Sequence, residues 1–315
     1  MILTSALPAS AEVFRLIQPI DCTLGQDCFI QQFVDHDPGP DAMDFTCNAL
    51  TYDTHTGTDF ALPSLAAMEA GVAVIATASG QVTAIRDGMP DSGLTLRTAN
   101  DIEGRDCGNG VVIRHADDWE TQYCHLMQGS VVVTRGQTVA TGDHLGLVGL
   151  SGNTEFPHLH LTVRHKGEVV DPFTPEGLIT CNEAQPLTLW ADPIVYVPGA
   201  ILNAGFSTAV PDYPSVKAGT ADQQNIPRDA PALVIWGYAF GGRAGDVMRI
   251  TIIGPDGQSV TDHSDTLEKD QAQFFRAAGR RTPAAGWPSG SYAGQVLLLR
   301  GEALISSHDI SLNIE

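Results

Sequence analysis

The chain has 315 residues, of which 43% are hydrophobic and 17% charged, and its formal net charge at pH 7 is -20. This length and composition predict globular structure in two domains, each large enough to bury a core, and exclude extensive disorder. The negative charge repels phosphate backbones and anionic lipids, so we expect no nucleic-acid partner, and no stretch reaches the roughly 18 to 20 apolar residues that span a bilayer.

The chain opens with MILTSALPASAEV, in which a short apolar run is followed by PASA. This pattern resembles the end of a secretory signal peptide with its small-residue cleavage site, but the basic residues of a complete signal are missing. We expect either a truncated signal or an ordered N-terminal strand. The cysteine content favours the signal, and with it a secreted or periplasmic location.

Six cysteines occur, and none of them forms a CxxC pair of the kind that binds zinc or catalyses redox exchange. An even count without metal spacing predicts disulfides. Cys22 and Cys28 can close a short loop, and Cys107 and Cys124 flank a predicted hairpin, which leaves Cys47 and Cys181 as the third pair. Other pairings, and six buried reduced thiols, are the alternatives.

Short β-branched runs separated by glycine fill residues 72–170, for example GVAVIATASGQVTAI and GNGVVIRHADDWETQYCHL. These runs predict an all-β, largely antiparallel structure in which HADDWE is a hairpin tip. The segment PSLAAMEAG is the exception and predicts a helical turn. The pattern changes near residue 183, because eight of the ten histidines lie at or before residue 165.

From about residue 186 the chain again alternates strands and turns, with GPDGQS as a hairpin turn and WPSGSY leading into a strand. About seven short strands over this length predict a small immunoglobulin-like β-sandwich, with Trp287 in its core. We therefore expect two domains, residues 12–183 and residues 186–315, and we place the chemistry in the first.

The segment THTGTDFAL holds His55 and Asp59 four residues apart. Positions i and i+4 of an extended segment face the same side, so an imidazole and a carboxylate can converge there on one ion. By itself, however, this spacing is more typical of a hydrogen-bonded surface pair than of metal ligands.

Two further motifs add histidines. In FPHLHLTVRH, His158 and His160 alternate with leucines, so both imidazoles lie on one face of a strand. Two desolvated imidazoles side by side indicate a metal or a catalytic role, with a hydrogen-bonded polar pair as the alternative. His125 ends the predicted strand TQYCHL, where a lone histidine is usually a hydrogen-bonded core residue.

Taken in order, HTGTDFA, GVAVIATASGQV, GNGVVIRH, QYCHL, VATGDHLGLVG and SGNTEFPHLHLTVR resemble the lysostaphin-like, or LytM-type, zinc metallopeptidases that cut peptidoglycan peptides. The resemblance runs from about His55 to Asp171. It implies a lysostaphin-like catalytic fold of the duplicated hybrid motif type, followed here by the sandwich.

The resemblance also implies the roles of five side chains. His55, Asp59 and His160 match the ligands of one zinc ion per chain, and His125 and His158 match the family's catalytic histidines. Three protein ligands leave a fourth position for water, as in catalytic zinc sites. The implied activity is a secreted endopeptidase that hydrolyses amide bonds in peptidoglycan stem or cross-link peptides.

The chain departs from the family pattern in two places. Glu155 and Phe156 follow SGNT in a stretch that concerns the cleft wall, where Asn153 and Thr154 either contact the substrate or form a plain turn. The extension at residues 12–54 contains Asp35, His36 and Asp37. We expect it to be an ordered loop at the cleft entrance, fixed by Cys47, rather than a second metal site.

The remaining histidines of the first part, His115, His144 and His165, are predicted to be structural. Two other functions compete with the enzyme. One is a non-catalytic module that binds peptidoglycan or activates another wall hydrolase, but such relatives typically lack metal ligands that are intact here. The other is a sugar phosphocarrier, which the HTGTD pair and the secretory features disfavour.

Overall fold

A computed structural model describes residues 14–93, 104–177, 179, 181 and 187–315. The predicted signal remnant, residues 1–13, and the predicted domain boundary at 183–186 lie outside this part. The all-β prediction is confirmed, and every strand pairing in the described sheets is antiparallel.

Two short α-helices occur in the described residues, α1 (Leu65–Glu69) and α2 (Tyr213–Ala218). The first confirms the turn predicted in PSLAAMEAG, and it begins where the Ser64 hydroxyl accepts a hydrogen bond from the Ala67 N–H. The second was not predicted, although Asp212 caps its start and Gly219 ends it in the left-handed conformation. Neither helix is long and apolar enough to cross a membrane.

The first part of the chain contributes ten described strands: β1 (Phe29–Gln32), β2 (Thr58–Ala61), β3 (Ala73–Ile75), β4 (Gly80–Arg86), β5 (Asn109–Arg114), β6 (Trp119–Leu126), β7 (Thr138–Val139), β8 (His144–Leu147), β9 (His158–His165) and β10 (Glu168–Val169). The hairpin predicted around HADDWE is confirmed by β5 and β6, which are joined through a 3-10 turn at Ala116–Asp118.

Eight of these strands form one sheet in the order β1-β2-β9-β6-β5-β4-β7, with β10 added to β9, while β3 and β8 form a separate pair. The strands that carry the motifs, β2, β9 and β6, are therefore neighbours. Asp59 of β2 lies opposite His160 of β9, and His160 lies opposite Cys124 of β6. Residues far apart in sequence thus meet on one face of the sheet.

The last part of the chain contributes seven strands: β11 (Ala200–Ser207), β12 (Ala232–Gly242), β13 (Val247–Ile253), β14 (Ser259–Thr266), β15 (Gln271–Arg281), β16 (Gly290–Arg300) and β17 (Ala303–Ile314). They form sheets of order β11-β12-β15 and β14-β13-β16-β17. This confirms the predicted immunoglobulin-like sandwich. The fourth strand of the sandwich, β14, pairs with β13. In constant-type immunoglobulin domains the fourth strand belongs to the opposite sheet.

The central strand β12 is buried on both faces. Its Ile235 and Ala239 belong to the sandwich core, which also contains Trp287 as predicted. Its Trp236 and Phe240 belong instead to the larger core of the first part of the chain. A sheet covered on both sides has no polar face, and this explains the uninterrupted apolar run ALVIWGYAF. The two hydrophobic cores therefore lie on opposite faces of the sheet that contains β12.

The three predicted disulfides are confirmed: Cys22–Cys28, Cys47–Cys181 and Cys107–Cys124. Cys47–Cys181 joins the N-terminal extension to the segment that follows β10. The extension is ordered, as predicted, and it also supplies an unpredicted strand, β1, to the edge of the main sheet.

The extension is held by two carboxylates, the partly exposed Asp35 and the buried Asp171. Asp35 accepts hydrogen bonds from the N–H groups of Asp37, Met43 and Thr54. His36 Nε2 forms a hydrogen bond of 2.8 Å with Asp171 Oδ2. These contacts bring residues 52–56 to the edge of the histidine cluster.

A substitution of Phe240 tests how much the packing of β12 against the first part of the chain contributes to stability. Its ring is 1% exposed and lies 5.9 Å, centroid to centroid, from that of Phe29 in β1. We expect Phe240→Ala to lower the free energy of unfolding by about 3 to 5 kcal/mol, because it leaves a cavity between the two cores. Urea unfolding measures this change.

The matched control is Leu304→Ala in β17, where the side chain is 58% exposed and the expected change is within about 0.5 kcal/mol. A loss below about 1 kcal/mol in Phe240→Ala would show that the contact between the two cores contributes little to stability.

Candidate metal centre

Three predicted ligands converge at the paired ends of β2 and β9. His55 Nε2 lies 3.2 Å from Asp59 Oδ1 and 3.1 Å from His160 Nδ1, and His160 Nδ1 lies 2.8 Å from Asp59 Oδ1. His55 and Asp59 are 3% and 2% exposed, so the set is shielded from solvent on most sides. Two imidazoles and one carboxylate form a group that can hold a metal ion.

The spacing of these atoms fits zinc. Ligands about 2.0 to 2.1 Å from a tetrahedral ion lie about 3.3 Å from one another, close to the separations of the three atoms found here. A second histidine group, formed by His125, His158 and His160, also has its nitrogens within 4.8 Å of one another. The first set differs from the second in that it supplies a carboxylate, which offsets the charge of an ion.

Hydrogen bonds orient the two imidazoles of the set. His55 Nδ1 lies 2.6 Å from the Phe33 carbonyl oxygen, which can only accept, so Nδ1 carries the proton and Nε2 is free to bind a metal. In His160, Nε2 lies 2.9 Å from Thr162 Oγ1. Donation from Nε2–H to this hydroxyl leaves Nδ1 unprotonated on the side of Asp59.

His125 is placed by a bulge at the end of β6. The pairing of β5 with β6 shifts register here, and His125 has a left-handed backbone with φ of 64°. A β-bulge changes the direction of a side chain, and a non-glycine residue with positive φ is a sign of local constraint. The His125 N–H donates to the Cys107 carbonyl, and its Nδ1–H donates to the Ser151 carbonyl at 2.7 Å.

His158 stands beside the proposed ligand set. Its Nδ1 donates to the Phe156 carbonyl at 2.9 Å, and its Nε2 lies 3.5 Å from Asp59 Oδ1. Its ring centroid is 4.7 Å from that of His125. Because the Nδ1 atom of each of these two rings is bound to a carbonyl, each keeps an Nε2 lone pair that can accept a proton.

Burial and charge divide the site electrostatically. Burial lowers the pKa of His125 well below its ordinary value, and the neighbouring imidazoles lower it further. Burial also lowers the pKa of His158, although the Asp59 carboxylate partly opposes it. Burial disfavours the charged form of Asp59, but His55 and His158 outweigh it and hold the Asp59 pKa well below 3.8. Asp59 is thus an anionic carboxylate, and burial favours the neutral form of His125 and His158.

Gly57 is required for the close approach of its segment to His160. A Cβ atom at this position would lie 2.5 Å from His160 Nε2 and 2.8 Å from the Leu161 carbonyl oxygen. The motif HTGTD therefore needs its glycine for space, while its histidine and aspartate offer atoms that could hold a metal ion.

The cleft beside the centre has a volume of about 230 Å³. Its walls include four residues to which the motifs assigned no function: Tyr52, Gln122, Thr162 and Arg164. The alternation that identified His158 and His160 extends to Thr162 and Arg164, so the same period would have placed both on the cleft face.

The stretch before His158 combines cleft and turn roles. Asn153 lines the cleft and donates from Nδ2 to Asp106 Oδ1 at 3.2 Å. Thr154 is buried, and its hydroxyl lies 3.2 Å from His158 Nδ1. Phe156 stacks on the His158 ring with centroids 4.5 Å apart. Thr154 and Phe156 thus pack around His158, whereas Asn153 lines the cleft.

The other histidines have structural partners. His115 contacts the Ser79 carbonyl and the Thr121 hydroxyl, and His144 contacts the Gly146 carbonyl. His165 stacks on Trp119 with centroids 4.3 Å apart. His36 lies in the extension, beside a cavity of about 560 Å³ that reaches His55.

Part of the chain is similar to known proteins. Residues 53–172 match the model of Peptidase family M23. A segment of 124 residues is 34% identical to the DD-carboxypeptidase/endopeptidase Mpg of Neisseria meningitidis, and covers 39% of this chain and 23% of that protein. The peptidoglycan DD-endopeptidase ShyA of Vibrio cholerae is 32% identical over 117 residues, which cover 37% of this chain and 22% of ShyA.

A third relative is the murein hydrolase activator NlpD of Escherichia coli, which is 31% identical over 102 residues that cover 32% of this chain and 22% of NlpD. The chain thus spans less than a quarter of the length of these relatives. Among solved structures, the catalytic domain of the M23 protein EnpA from Enterococcus faecalis is 26% identical with a TM-score of 0.31, and the match covers 45% of this chain and 90% of that one.

We expect Gly57→Ala to weaken zinc binding about 10- to 100-fold without removing a ligand, because the new methyl group displaces the His160 imidazole. Competition with a zinc-sensitive chromogenic chelator measures this affinity. Gly88→Ala is the control, since a Cβ there meets no atom within 4 Å. Equal zinc affinity in the two variants would contradict the placement of His160 at the metal.

Proposed function

We propose that residues 53–172, a domain of the Peptidase family M23 type, hydrolyse amide bonds in peptidoglycan stem or cross-link peptides with one zinc ion held by His55, Asp59 and His160. The observation that carries the proposal is the convergence of these three ligand atoms next to His125 and His158, whose Nδ1 atoms each donate to a backbone carbonyl. The relatives named as endopeptidases support the reaction type and the substrate class.

The bound ion supplies Lewis acidity toward a substrate carbonyl and a water molecule. His125 and His158 supply proton transfer. Each ring donates Nδ1–H to a backbone carbonyl, so each can accept a proton at Nε2 from water and return it to the leaving amine. A protonated Nε2 can also donate a hydrogen bond to the oxyanion as charge develops there.

We assign the peptidase domain to residues 12–183 and an accessory β-sandwich to residues 186–315. The N-terminal extension belongs to the first unit because β1 completes its sheet and residues 52–56 border its cleft. The sandwich supports the first unit from behind through β12. The three disulfides favour a secreted or periplasmic location, where oxidised cysteines persist.

The alternative is a module that binds peptidoglycan or activates another hydrolase, as the name of the relative NlpD states for that protein. The complete ligand set and the two oriented histidines favour the enzyme. The two functions differ in one measurable respect, since an activator leaves purified peptidoglycan intact when it is the only protein present.

The decisive experiment is mass spectrometry of muropeptides after digestion with the purified chain. We expect cleavage products that disappear with chelator and return with zinc. His160→Ala should lose zinc and activity, whereas His125→Ala should keep zinc and lose about 100-fold or more in turnover. His144→Ala is the matched control and should behave as wild type, because its Nε2 contacts only the Gly146 carbonyl among the described residues.

Cleavage by both His160→Ala and His125→Ala at wild-type rates would refute the proposal. Intact peptidoglycan with wild type, together with increased cleavage by an added wall amidase, would establish the activator instead.

The Cys107–Cys124 disulfide lies in the cleft wall and borders the bulge that places His125. We expect the double change Cys107→Ser and Cys124→Ser to reduce turnover about tenfold or more while zinc content stays at one ion per chain, because the carbonyl that holds the His125 N–H becomes mobile. Muropeptide digestion and metal analysis measure the two effects.

The matched control is the double change Cys22→Ser and Cys28→Ser, which opens a disulfide of sequence separation 6 outside the cleft. It should leave turnover unchanged at a temperature where all variants are folded. A similar loss of turnover in both double variants would show a general effect on stability and not on His125.

A further inference from the structure

We propose that Arg164 binds a carboxylate of the peptide substrate and thereby makes the cleft selective for carboxylate-bearing peptides. This inference rests on the proposed function and deepens it, because a cross-link between D-alanine and diaminopimelate carries free carboxylates, whereas a glycine bridge carries none along its length.

Arg164 shares a strand face with the metal centre. His158, His160, Thr162 and Arg164 alternate along β9, and the core residues Leu159, Leu161 and Val163 lie on the opposite face. Arg164 lies four positions after His160 along the strand, which corresponds to about 13 Å between their Cα atoms. An extended peptide whose scissile bond lies at the metal would therefore reach Arg164 about four residues away.

Arg164 places a positive charge in a cleft whose other described lining residues include no lysine or arginine. The chain as a whole has 17 basic and 37 acidic residues. The cleft also contains a carboxylate, Asp106, but this residue lies near Asn153, toward the other end of the cleft. The cleft thus offers an anion a single fixed cation beyond the metal centre.

The Arg164 guanidinium is oriented by one of its nitrogens, and its other N–H groups are available to a ligand. Arg164 Nη1 donates to Gln122 Oε1 at 2.8 Å and lies 3.4 Å from Glu120 Oε1. Within the described residues, Nε and Nη2 make no hydrogen bond. These two groups form the planar edge that binds a carboxylate with two parallel hydrogen bonds.

Glu120 is the competing anion in the protein. Its contact with Arg164 is long, and the two side chains are 30% and 27% exposed, so the pair is a weak surface interaction that a substrate can displace. Gln122 has a different effect, because it is neutral and holds the guanidinium beside Thr162 on the cleft face. Removal of the Glu120 charge should strengthen binding of a substrate carboxylate.

The test compares a cross-linked stem-peptide dimer with the same dimer after its carboxylates are converted to carboxamides. We expect Arg164→Gln to lower kcat/KM for the native dimer about 10- to 100-fold, because the carboxylate loses its partner. The same substitution should leave kcat/KM for the amidated dimer nearly unchanged. Glu120→Gln should raise kcat/KM for the native dimer about two- to fivefold. Arg164→Lys should recover only part of the preference, because an ammonium lacks the two-pronged geometry.

Arg249→Gln is the charge-matched control. Arg249 also pairs with a carboxylate, that of Asp262, but it lies on β13 of the sandwich and should not affect either dimer. Binding of the two fluorescently labelled dimers to chelator-treated protein gives a second measurement that needs no cleavage.

The outcomes separate the two proposals. If wild type cleaves neither dimer but binds the native one through Arg164, endopeptidase activity is refuted and the carboxylate site stands. If wild type cleaves both dimers and Arg164→Gln affects them equally, or affects neither, the carboxylate site is refuted and the activity stands. If wild type neither binds nor cleaves either dimer, both proposals are refuted.

Discussion

The pairing of β2 with β9 is the constraint on which the rest of the site depends. Because the two strands are antiparallel and Asp59 lies directly opposite His160, the carboxylate and the imidazole emerge on the same face, 2.8 Å apart. A register shift of one residue would turn every side chain of β2 to the other face and move Asp59 into the core. Gly57 contributes to this arrangement, since only a residue without Cβ fits against the His160 ring.

A second set of contacts fixes the histidines that we propose to be catalytic. They depend on backbone carbonyls: Ser151 for His125 and Phe156 for His158. Backbone acceptors of this kind hold a ring in one tautomer because a carbonyl cannot donate. The bulge at His125, the neighbouring disulfide and the stretch SGNTEF therefore support two imidazole rings whose centroids lie 4.7 Å apart.

The sandwich contributes at a larger scale. Its strand β12 has side chains in both hydrophobic cores, so the first sheet of the sandwich is a middle layer that packs against both neighbours. Phe240 of this sheet packs against Phe29 of β1, which belongs to the N-terminal extension. At the end of that extension, Tyr52, Thr54, His55 and Thr56 border the cleft. The accessory part of the chain thus carries no proposed chemistry, and it packs against the extension that borders the cleft.

The sequence alone determined the all-β class and the seven strands of the sandwich, because strand periodicity is a local property of the chain. It also offered the three disulfides as one choice among several pairings, and the roles of the five residues of the proposed site through a motif order that resembles a known family. Tertiary structure decided what depends on register and packing. The bulge at His125, the orientation of each imidazole and the burial of β12 on both faces follow from partners distant in sequence. Arg164 shows the boundary between the two: its position in the β9 alternation could be read from FPHLHLTVRH, but its place in the cleft beside Gln122 depends on the pairing of β6 with β9.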